Sequence, residues 1–359
     1  MSRFWSQHVA GLTPYTPGEQ PKIDRLLKLN TNEHPYGPSP RALEAIRQCA
    51  DDRLRLYPDN ESTALRLAVA AYYDVKPDQV MPGNGSDEVL AHVFNALFRH
   101  DGRPLLLPDI TYSFYRTYCK LFDIPTRLIP LADDFSIRPE DYLNLDIKPA
   151  GIIFANPNAP TGMALELEQI ERIARGNPDV AVVEDEAYVD FGAQSAVSLL
   201  ERCPNIVVIH TFSKSRALAG MRVGYSVASR EITEGLLRVK DSFNSYPLDS
   251  LAIAAAVASI EDHAYFESST RKIVEARQFL TQQLETIGFE LLPSKTNFVF
   301  AHHPAHDAAE LAAKLREEGI LVRHFQAPRI SQYLRITVGT HEQCARLCNT
   351  LSELTLRTG

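Results

Sequence analysis

The chain has no run of basic residues, no long apolar stretch and no regular cysteine framework. Lysine and arginine number 37 against 45 aspartates and glutamates, a net charge of −8. That balance argues against a nucleic-acid surface and for a mildly acidic face that keeps the protein soluble. The N-terminal residues, Met1-Ser-Arg-Phe-Trp-Ser-Gln-His8, lack the apolar core of a signal peptide. The longest apolar run, Leu251–Ile260, is too short and too alanine-rich to cross a bilayer and reads as a packed helix. Cysteines at 49, 119, 203, 344 and 348 are odd in number and scattered, which predicts reduced thiols and a cytoplasmic setting. Cys344 and Cys348 lie one helical turn apart, but no second pair completes a zinc set. His302, His303 and His306 fall in a Pro- and Asp-containing loop that reads as solvated, so no metal is expected. There is no internal repeat and no low-complexity tract.

What is present is ordinary globular composition: 359 residues, 45% hydrophobic and 23% charged. The first thirty residues are rich in Pro, Gly and polar side chains and read as an extended arm. Ser39 followed by Pro40 reads as the start of a helix. From about 60 to 250, apolar runs at 104–107, 151–155, 180–184, 205–210 and 222–228 alternate with helical patterns at 61–74, 86–99, 112–121 and 165–175. This alternation predicts an α/β fold with a doubly wound, mostly parallel sheet. Beyond 250 the pattern changes to a helical stretch over 249–287, then short strands at 289–292, 297–301, 320–323 and 333–338 and helices at 307–318 and 341–356. The expected division is an arm with part of a small domain (1–40), a large domain (41–250) and a small α+β domain (251–359).

In open α/β sheets, ligands sit beyond the carboxyl ends of the strands. Asn156 and Asn158 follow one expected strand, Asp185 ends the next, and Lys214 follows the third. Three polar groups from three consecutive strands therefore converge on one edge. Lys214 is flanked by Thr211 and Ser213 and followed by Arg222, a set of donors for a dianionic phosphate beside a lysine. Lysine is the residue that forms an imine with pyridoxal phosphate, so the pattern points to a Schiff-base lysine. The turn Pro82-Gly-Asn-Gly-Ser-Asp-Glu88 opens a helix whose free N–H groups offer an anion site. The stretch Asn156-Pro-Asn-Ala-Pro-Thr-Gly162 is a proline-braced turn able to aim an amide at a ligand.

Together these motifs resemble the fold-type-I, pyridoxal-phosphate-dependent aminotransferases, and within them the histidinol-phosphate aminotransferases. The resemblance runs from Leu12-Thr-Pro-Tyr15 through Leu29-Asn-Thr-Asn-Glu33, Tyr57-Pro-Asp59, Gly83–Glu88, Asn156–Gly162, Asp185-Glu-Ala-Tyr188 and Ser213-Lys214 to Leu334-Arg-Ile-Thr-Val-Gly339. It implies pyridoxal 5′-phosphate as cofactor, with Lys214 as its covalent anchor and proton shuttle. It implies that Asp185 keeps the pyridine nitrogen protonated, making the ring an electron sink. Tyr188 and an asparagine, Asn156 or Asn158, would meet the ring hydroxyl, and Tyr112 would stack on the ring. Gly85, Ser86, Asp87, Thr211, Ser213 and Arg222 would hold the phosphate, with Tyr57 reaching in from a second subunit of a homodimer. One departure stands out: where much of the family has Asn directly before Pro-Thr-Gly, this chain has Ala159.

The resemblance also places the substrate-anion arginine at Arg335, after a strand, with Arg323 as a second cation; a solvated strand-end arginine is the alternative for Arg323. Tyr15 and Asn32 would close over the substrate. The expected reaction is transamination between L-histidinol phosphate and 2-oxoglutarate, giving imidazole-acetol phosphate and glutamate. An aromatic amino-acid aminotransferase is the nearest alternative, and a decarboxylase of a phosphorylated amino acid a more distant one. A PLP-binding transcription regulator is disfavoured, since no appended DNA-binding region is evident.

Overall fold

The computed structural model describes residues 2–16, 18–21 and 26–356. Parts of the expected arm, Met1, Pro17 and residues 22–25, lie outside the described residues, as do 357–359. The arm is not wholly extended. It holds a one-turn helix, α1 (Gln7–Ala10), and a two-residue strand, β1 (Leu27–Lys28). Helix α2 (Pro40–Cys49) begins at Ser39, whose hydroxyl accepts from the N–H groups of Arg41 and Ala42. Helix α3 (Thr63–Tyr73) leads into β2 (Val80–Asn84) and α4 (Gly85–Leu97). Next come β3 (Leu105–Pro108), α5 (Phe114–Leu121), β4 (Thr126–Ile129), β5 (Gly151–Ala155) and α6 (Leu167–Gly176). Strands β6 (Val182–Asp185), β7 (Ile206–Thr211) and β8 (Val223–Ala228) and helix α7 (Arg230–Phe243) complete the alternating half.

These strands form a seven-stranded sheet in the order β2-β8-β7-β6-β5-β3-β4. Strand β8 runs antiparallel to both neighbours, and the other six share one direction. Both faces are buried, because successive side chains point to opposite sides. Ile152, Phe154, Val182, Ile206 and Val208 face one core with Leu65, Ile170 and Ala252 from the covering helices. Ile153, Val183, Val207 and Ile209 face the other, with Val89, Tyr115 and Leu236. This is why the central strands read as continuous apolar runs.

The expected single helix over 249–287 is two helices, α8 (Ser250–Glu261) and α9 (His263–Thr286). The break is at Asp262, whose backbone is non-helical and whose carboxylate accepts from Tyr265 N (3.4 Å) and from the Ser39 hydroxyl (2.5 Å). Its role as a cap outweighs helix continuity. Strands β9 (Glu290–Leu291) and β10 (Phe298–His302), helix α10 (Ala308–Glu317), strands β11 (Ile320–Leu321), β12 (Arg323–His324) and β13 (Tyr333–Thr337), and helix α11 (His341–Leu356) follow. The expected strand at 320–323 is thus divided. Strand β11 pairs in parallel with β1, while β12 joins an antiparallel sheet ordered β12-β13-β10-β9. Arg335 lies inside β13, not after it. A core including Ile273, Leu280, Phe298, Leu311, Ile336 and Leu347 fills the space between this sheet and helices α9, α10 and α11. A small cluster of Ile110, Leu131, Phe135, Phe300 and Ile330 links the two parts. No helix among the described residues is long and apolar enough to cross a membrane. All five cysteines are free thiols.

Candidate active site

Strands β5, β6 and β7 are adjacent and parallel, so their carboxyl ends present Asn156, Asp185 and Lys214 side by side. Asp185 is buried at the end of β6. Tyr115 donates its hydroxyl to Asp185 Oδ2 at 2.7 Å, and Ala187 N reaches Oδ1 at 3.3 Å. Burial pushes the Asp185 carboxyl up to about 6, against these two hydrogen bonds, which pull it down. A carboxylate so placed is suited to a positively charged N–H partner, which would offset the cost of burying its charge.

That environment has a measurable cost. The folded-state pKa of about 6 lies above the ordinary 3.8, so the folded state binds this proton more tightly than the unfolded chain. Stability contributed at this position falls as pH rises from about 4 to about 6, and the penalty stays in full above that, on the order of 3 kcal/mol. Asp185→Asn is therefore expected to raise the melting temperature of the cofactor-free protein by a few degrees near pH 8, and by less near pH 5. Thermal denaturation at the two pH values measures it. An equal shift at both, or a lower melting point near pH 8, would remove the argument from buried charge.

The second part of the site is an anion cradle. The first N–H groups of α4 have no intrahelical acceptor, and Asn84 supplies no side-chain cap. Gly85 has φ 77°, and a Cβ there would stand 2.4 Å from Arg222 Nη2. At Gly224 a Cβ would stand 2.3 Å from Ser86 N. Bare backbone at both positions lets the guanidinium and β8 press against the start of α4. Arg222 Nη2 is held by Asp87 Oδ2 at 3.0 Å, and Nη1 reaches Ser213 Oγ at 3.4 Å. Tyr112 also points its hydroxyl at Asp87 (Oδ1, 3.4 Å), while Thr211 Oγ1 accepts from Ser213 N at 3.1 Å. Hydroxyls, a guanidinium and helix N–H groups thus face one point, a donor set that fits a phosphate dianion.

The third part comes from far away in sequence. Three consecutive residues, Asn30 to Asn32, lie across the strand ends. Arg335 Nη2 donates to Asn30 O at 2.9 Å, and Lys214 Nζ donates to Thr31 O at 3.3 Å. Asn32 Nδ2 donates to the Tyr188 hydroxyl oxygen at 2.9 Å. Asn32 itself is fixed by Thr337 Oγ1, which accepts from its N–H and donates to its Oδ1, both at 3.0 Å, and by Asn297 Nδ2 on its carbonyl. Because Tyr188 accepts from Asn32, its own O–H proton stays free to donate. Lys214 Nζ stands 5.7 Å from the centre of the Tyr188 ring. Arg335 is half-buried between Phe298 and Phe325, and its buried Nε has no partner among the described residues. Arg323 sits opposite it in the β12–β13 pairing, and neither arginine has an acidic partner among the described residues. Burial pushes Arg335 down from its ordinary value, and the neighbouring Arg323 charge adds to this. Tyr15 packs on Phe114 (4.8 Å) and approaches Tyr112 (6.5 Å) at the same rim.

Two asparagines are spent within the protein. Asn156 pairs both ways with Leu165, accepting from its N–H (2.8 Å) and donating to its carbonyl (3.4 Å). Asn158 donates to Ile110 O (3.0 Å) and Thr161 Oγ1 (3.1 Å) and accepts from Thr111 Oγ1 (2.9 Å). Ala159 is buried in the same apolar cluster as Tyr188. Tyr57 stands outside the cluster: it is 83% exposed and stacks on Tyr246 at 4.8 Å. Behind the Asn156–Leu165 loop lies a cavity of about 260 Å³, floored by Phe135, Ile137 and Met163, away from Lys214. Tyr115 and Thr31 are site residues that sequence reasoning missed. The spacing of Tyr115 and Tyr118 by three, which puts them on one face of α5 just after Tyr112, is the signal that could have found Tyr115. Nothing local marks the Thr31 carbonyl.

A lysine, a buried carboxylate and an anion cradle at the carboxyl edge of a mixed seven-stranded sheet define a class of group-transfer enzymes. The chain belongs to the aminotransferase class I and II family, whose profile matches residues 24–351. Over 354 residues it is 58% identical to histidinol-phosphate aminotransferase 1 of Bordetella parapertussis, covering 99% of each chain. Over 355 residues it is 58% identical to the histidinol-phosphate aminotransferase of Aromatoleum aromaticum, again covering 99% of each. Among solved structures it is similar to the histidinol-phosphate aminotransferase of Sinorhizobium meliloti in complex with pyridoxal-5′-phosphate. That likeness has a TM-score of 0.89 at 25% identity and covers 100% of this chain and 99% of the other.

Proposed function

We propose that this site transfers the amino group of L-histidinol phosphate to 2-oxoglutarate, giving imidazole-acetol phosphate and glutamate, as a step of histidine biosynthesis. The cofactor in this reading is pyridoxal 5′-phosphate. The observation that carries it is the pair Arg335 and Arg323, without an acidic partner among the described residues. Arg335 is bonded through Asn30 O to the same backbone segment that meets Lys214 through Thr31 O, and Arg323 lies opposite it in the strand pairing. Histidinol phosphate has a phosphate ester and no α-carboxylate, whereas glutamate has carboxylates only. A guanidinium fork accepts either anion, so one pocket can serve both partners in turn.

The bound cofactor supplies an aldehyde that condenses with amines and a cationic ring that stores the electron pair left when Cα–H breaks. Gly85, Ser86 and Asp87 through their N–H groups, with Thr211, Ser213 and Arg222, hold its phosphate. Asp185 holds the proton on the ring nitrogen. Tyr188 directs its free O–H at the ring hydroxyl, with Asn32 fixing the angle. With Asn156 and Asn158 committed to the loop and Ala159 unable to donate, Tyr188 carries that contact alone. Tyr112 covers the ring face. Lys214 Nζ moves a proton between the substrate Cα and cofactor C4′. Tyr15 and Asn32 close the substrate side and exclude water. Leu54, Leu56, Tyr57, Phe243 and Tyr246 are exposed apolar side chains, which supports a homodimer that covers them and brings Tyr57 of the partner subunit to the phosphate. The same reading places an arm with part of a small domain at 1–40, a large domain at 41–250, a small domain at 251–359, and the protein in the cytoplasm, which cell fractionation checks.

A spectral titration of the purified holoprotein tests the function. The visible band of the bound cofactor is expected to disappear with L-histidinol phosphate and return with 2-oxoglutarate. The concentration needed should be at least about tenfold below that for phenylalanine or tyrosine. An equal or better response to the aromatic amino acids would replace the proposed substrate. Light scattering on the same sample should give twice the chain mass.

A further inference from the structure

Behind the sheet edge that carries Lys214 lies a buried polar cluster with no part in the site as described. Ser215, the residue after Lys214, donates its hydroxyl to Asp190 Oδ2. Asp190 belongs to the short helical turn Val189–Phe191 that follows Tyr188 directly. His210, in β7, places Nε2 3.4 Å from the same Asp190 oxygen. His210 also stacks on Tyr225 (5.3 Å), whose hydroxyl meets that of Tyr73 at 3.2 Å. Arg216 sits beside them, committed to Ser259 O at 2.6 Å and to the face of Phe266 at 3.7 Å. His210, Ser215 and Arg216 are each less than a tenth exposed.

One carboxylate oxygen thus joins three segments: the end of β7, the turn that carries Lys214, and the segment that carries Tyr188 and follows Asp185 at the end of β6. Burial alone would push His210 down, but the Asp190 carboxylate raises it above its ordinary value. Asp190, which burial would raise, is held below its ordinary value chiefly by His210, with Ser215 and Arg216 assisting. Each partner thus favours the charged form of the other, and the pair has little room to move, with His210 buried and Asp190 largely so.

A buried ion pair is weak evidence for stability, since packed apolar side chains of similar volume do as well. What it does here that apolar packing cannot is fix direction. The Lys214 turn is short, with Ala217 in a left-handed conformation (φ 55°) and Lys214 O accepting from Ala217 N at 3.2 Å. Among the described residues Lys214 Nζ makes one hydrogen bond, at 3.3 Å to Thr31 O, beside its 5.7 Å approach to the Tyr188 ring, so its own contacts locate it loosely. Holding the base of the turn to the Tyr188 segment sets the separation of Nζ from Tyr188.

We propose that Asp190 and Ser215 are positioning residues, which hold Lys214 in register with Tyr188 and Asp185 from behind the sheet. The inference rests on the pyridoxal-phosphate reading above. Ser215→Ala cuts the link to the lysine turn and leaves Asp190 paired with His210. Asp190→Asn keeps an acceptor for Ser215 and removes the charge that fixes it.

The test uses cofactor-free full-length protein and two probes. Pyridoxamine 5′-phosphate has an amine in place of the aldehyde, so it cannot condense with a lysine and reads the phosphate and ring contacts without the covalent bond. With pyridoxal 5′-phosphate, Lys214 Nζ attacks the aldehyde carbon, the C=N bond forms and water leaves, which produces the visible band. In both variants that condensation should slow about tenfold, while pyridoxamine-phosphate affinity stays within about twofold. In the reconstituted enzyme kcat should fall with KM nearly unchanged. Wild-type condensation rates in the folded variants would overturn the proposal. So would a loss of pyridoxamine-phosphate affinity in step with the rate, which a merely structural role predicts. If wild-type protein takes up neither probe, the pyridoxal-phosphate reading fails and this inference with it, a result distinct because it concerns the unaltered chain.

Discussion

Lys214→Ala is expected to lower kcat by at least about 10⁴-fold, a loss of about 5 kcal/mol or more in transition-state stabilisation. Lys214 Nζ has two tasks in the proposed reaction, covalent anchorage and proton transfer at Cα, and alanine performs neither. The protein should survive the change. Lys214 is half-buried, and its hydrogen bond to Thr31 O is long at 3.3 Å. The stability change should therefore stay within about 1 kcal/mol. Arg222, Ser213 and the α4 N–H groups are untouched, so pyridoxamine-phosphate affinity should persist. Lys214→Arg separates charge from chemistry. A guanidinium keeps the positive charge but neither condenses nor gives up its proton at working pH, so this variant should be as inactive as the alanine. Single-turnover kinetics with L-histidinol phosphate decide the matter. Turnover within a hundredfold of wild type in either variant would remove Lys214 from the reaction.

Arg335→Met should raise KM for both L-histidinol phosphate and 2-oxoglutarate, by roughly 10²- to 10³-fold, with a smaller effect on kcat. Loss of a buried charged partner costs about 3 to 4 kcal/mol. The side chain lies between Phe298 and Phe325, anchored by one bond to Asn30 O, with Nε unspent. Such a guanidinium is held ready for an anion. Methionine fills much of the same apolar slot, so folding is preserved and the cofactor-free protein should melt no lower, because a half-buried charge without an acidic partner among the described residues has been removed. Arg335→Lys keeps the charge and loses the fork, and a penalty nearer tenfold is expected. Steady-state kinetics with each substrate varied in turn give the answer. A raised KM for only one partner would mean that phosphate and carboxylate are read at separate places, and the single-pocket account would fall.

The strand-end positions of Asp185 and Lys214 were legible because they depend on local rules. A continuous apolar run marks a strand buried on both faces, and a parallel sheet gathers its ligand groups at the carboxyl ends. The anion cradle was legible for a similar reason, since a glycine turn opening a helix exposes N–H groups whatever surrounds it. Strand β4, Thr126–Ile129, was not legible. It lies at the sheet edge, three of its four residues are exposed, and no apolar pattern marks it. Strand β2 contains Pro82 and Gly83, which read as a turn and become a strand only because β8 pairs with them at an edge. Helix α7 is amphipathic and heavily charged, and its buried face is short: Thr233, Leu236 and Lys240. The helix break at Asp262 depends on a serine more than two hundred residues earlier in the chain.

The two asparagines show the limit most clearly. An amide has donors and an acceptor, and residue type alone does not say whether they face a ligand or a neighbouring carbonyl. The sequence by itself determined the inner strands of the sheet, the chemistry of their ends and the family, because these rest on short-range pattern and on the order of motifs. Only the tertiary structure decided that Asn30, Thr31 and Asn32 join Arg335, Lys214 and Tyr188, that Asn156 and Asn158 are consumed in their own loop, and that Asp190 lies behind the lysine. Those outcomes depend on backbone carbonyls and on contacts between residues up to three hundred positions apart. They are fixed when the two cores pack, not by any local preference.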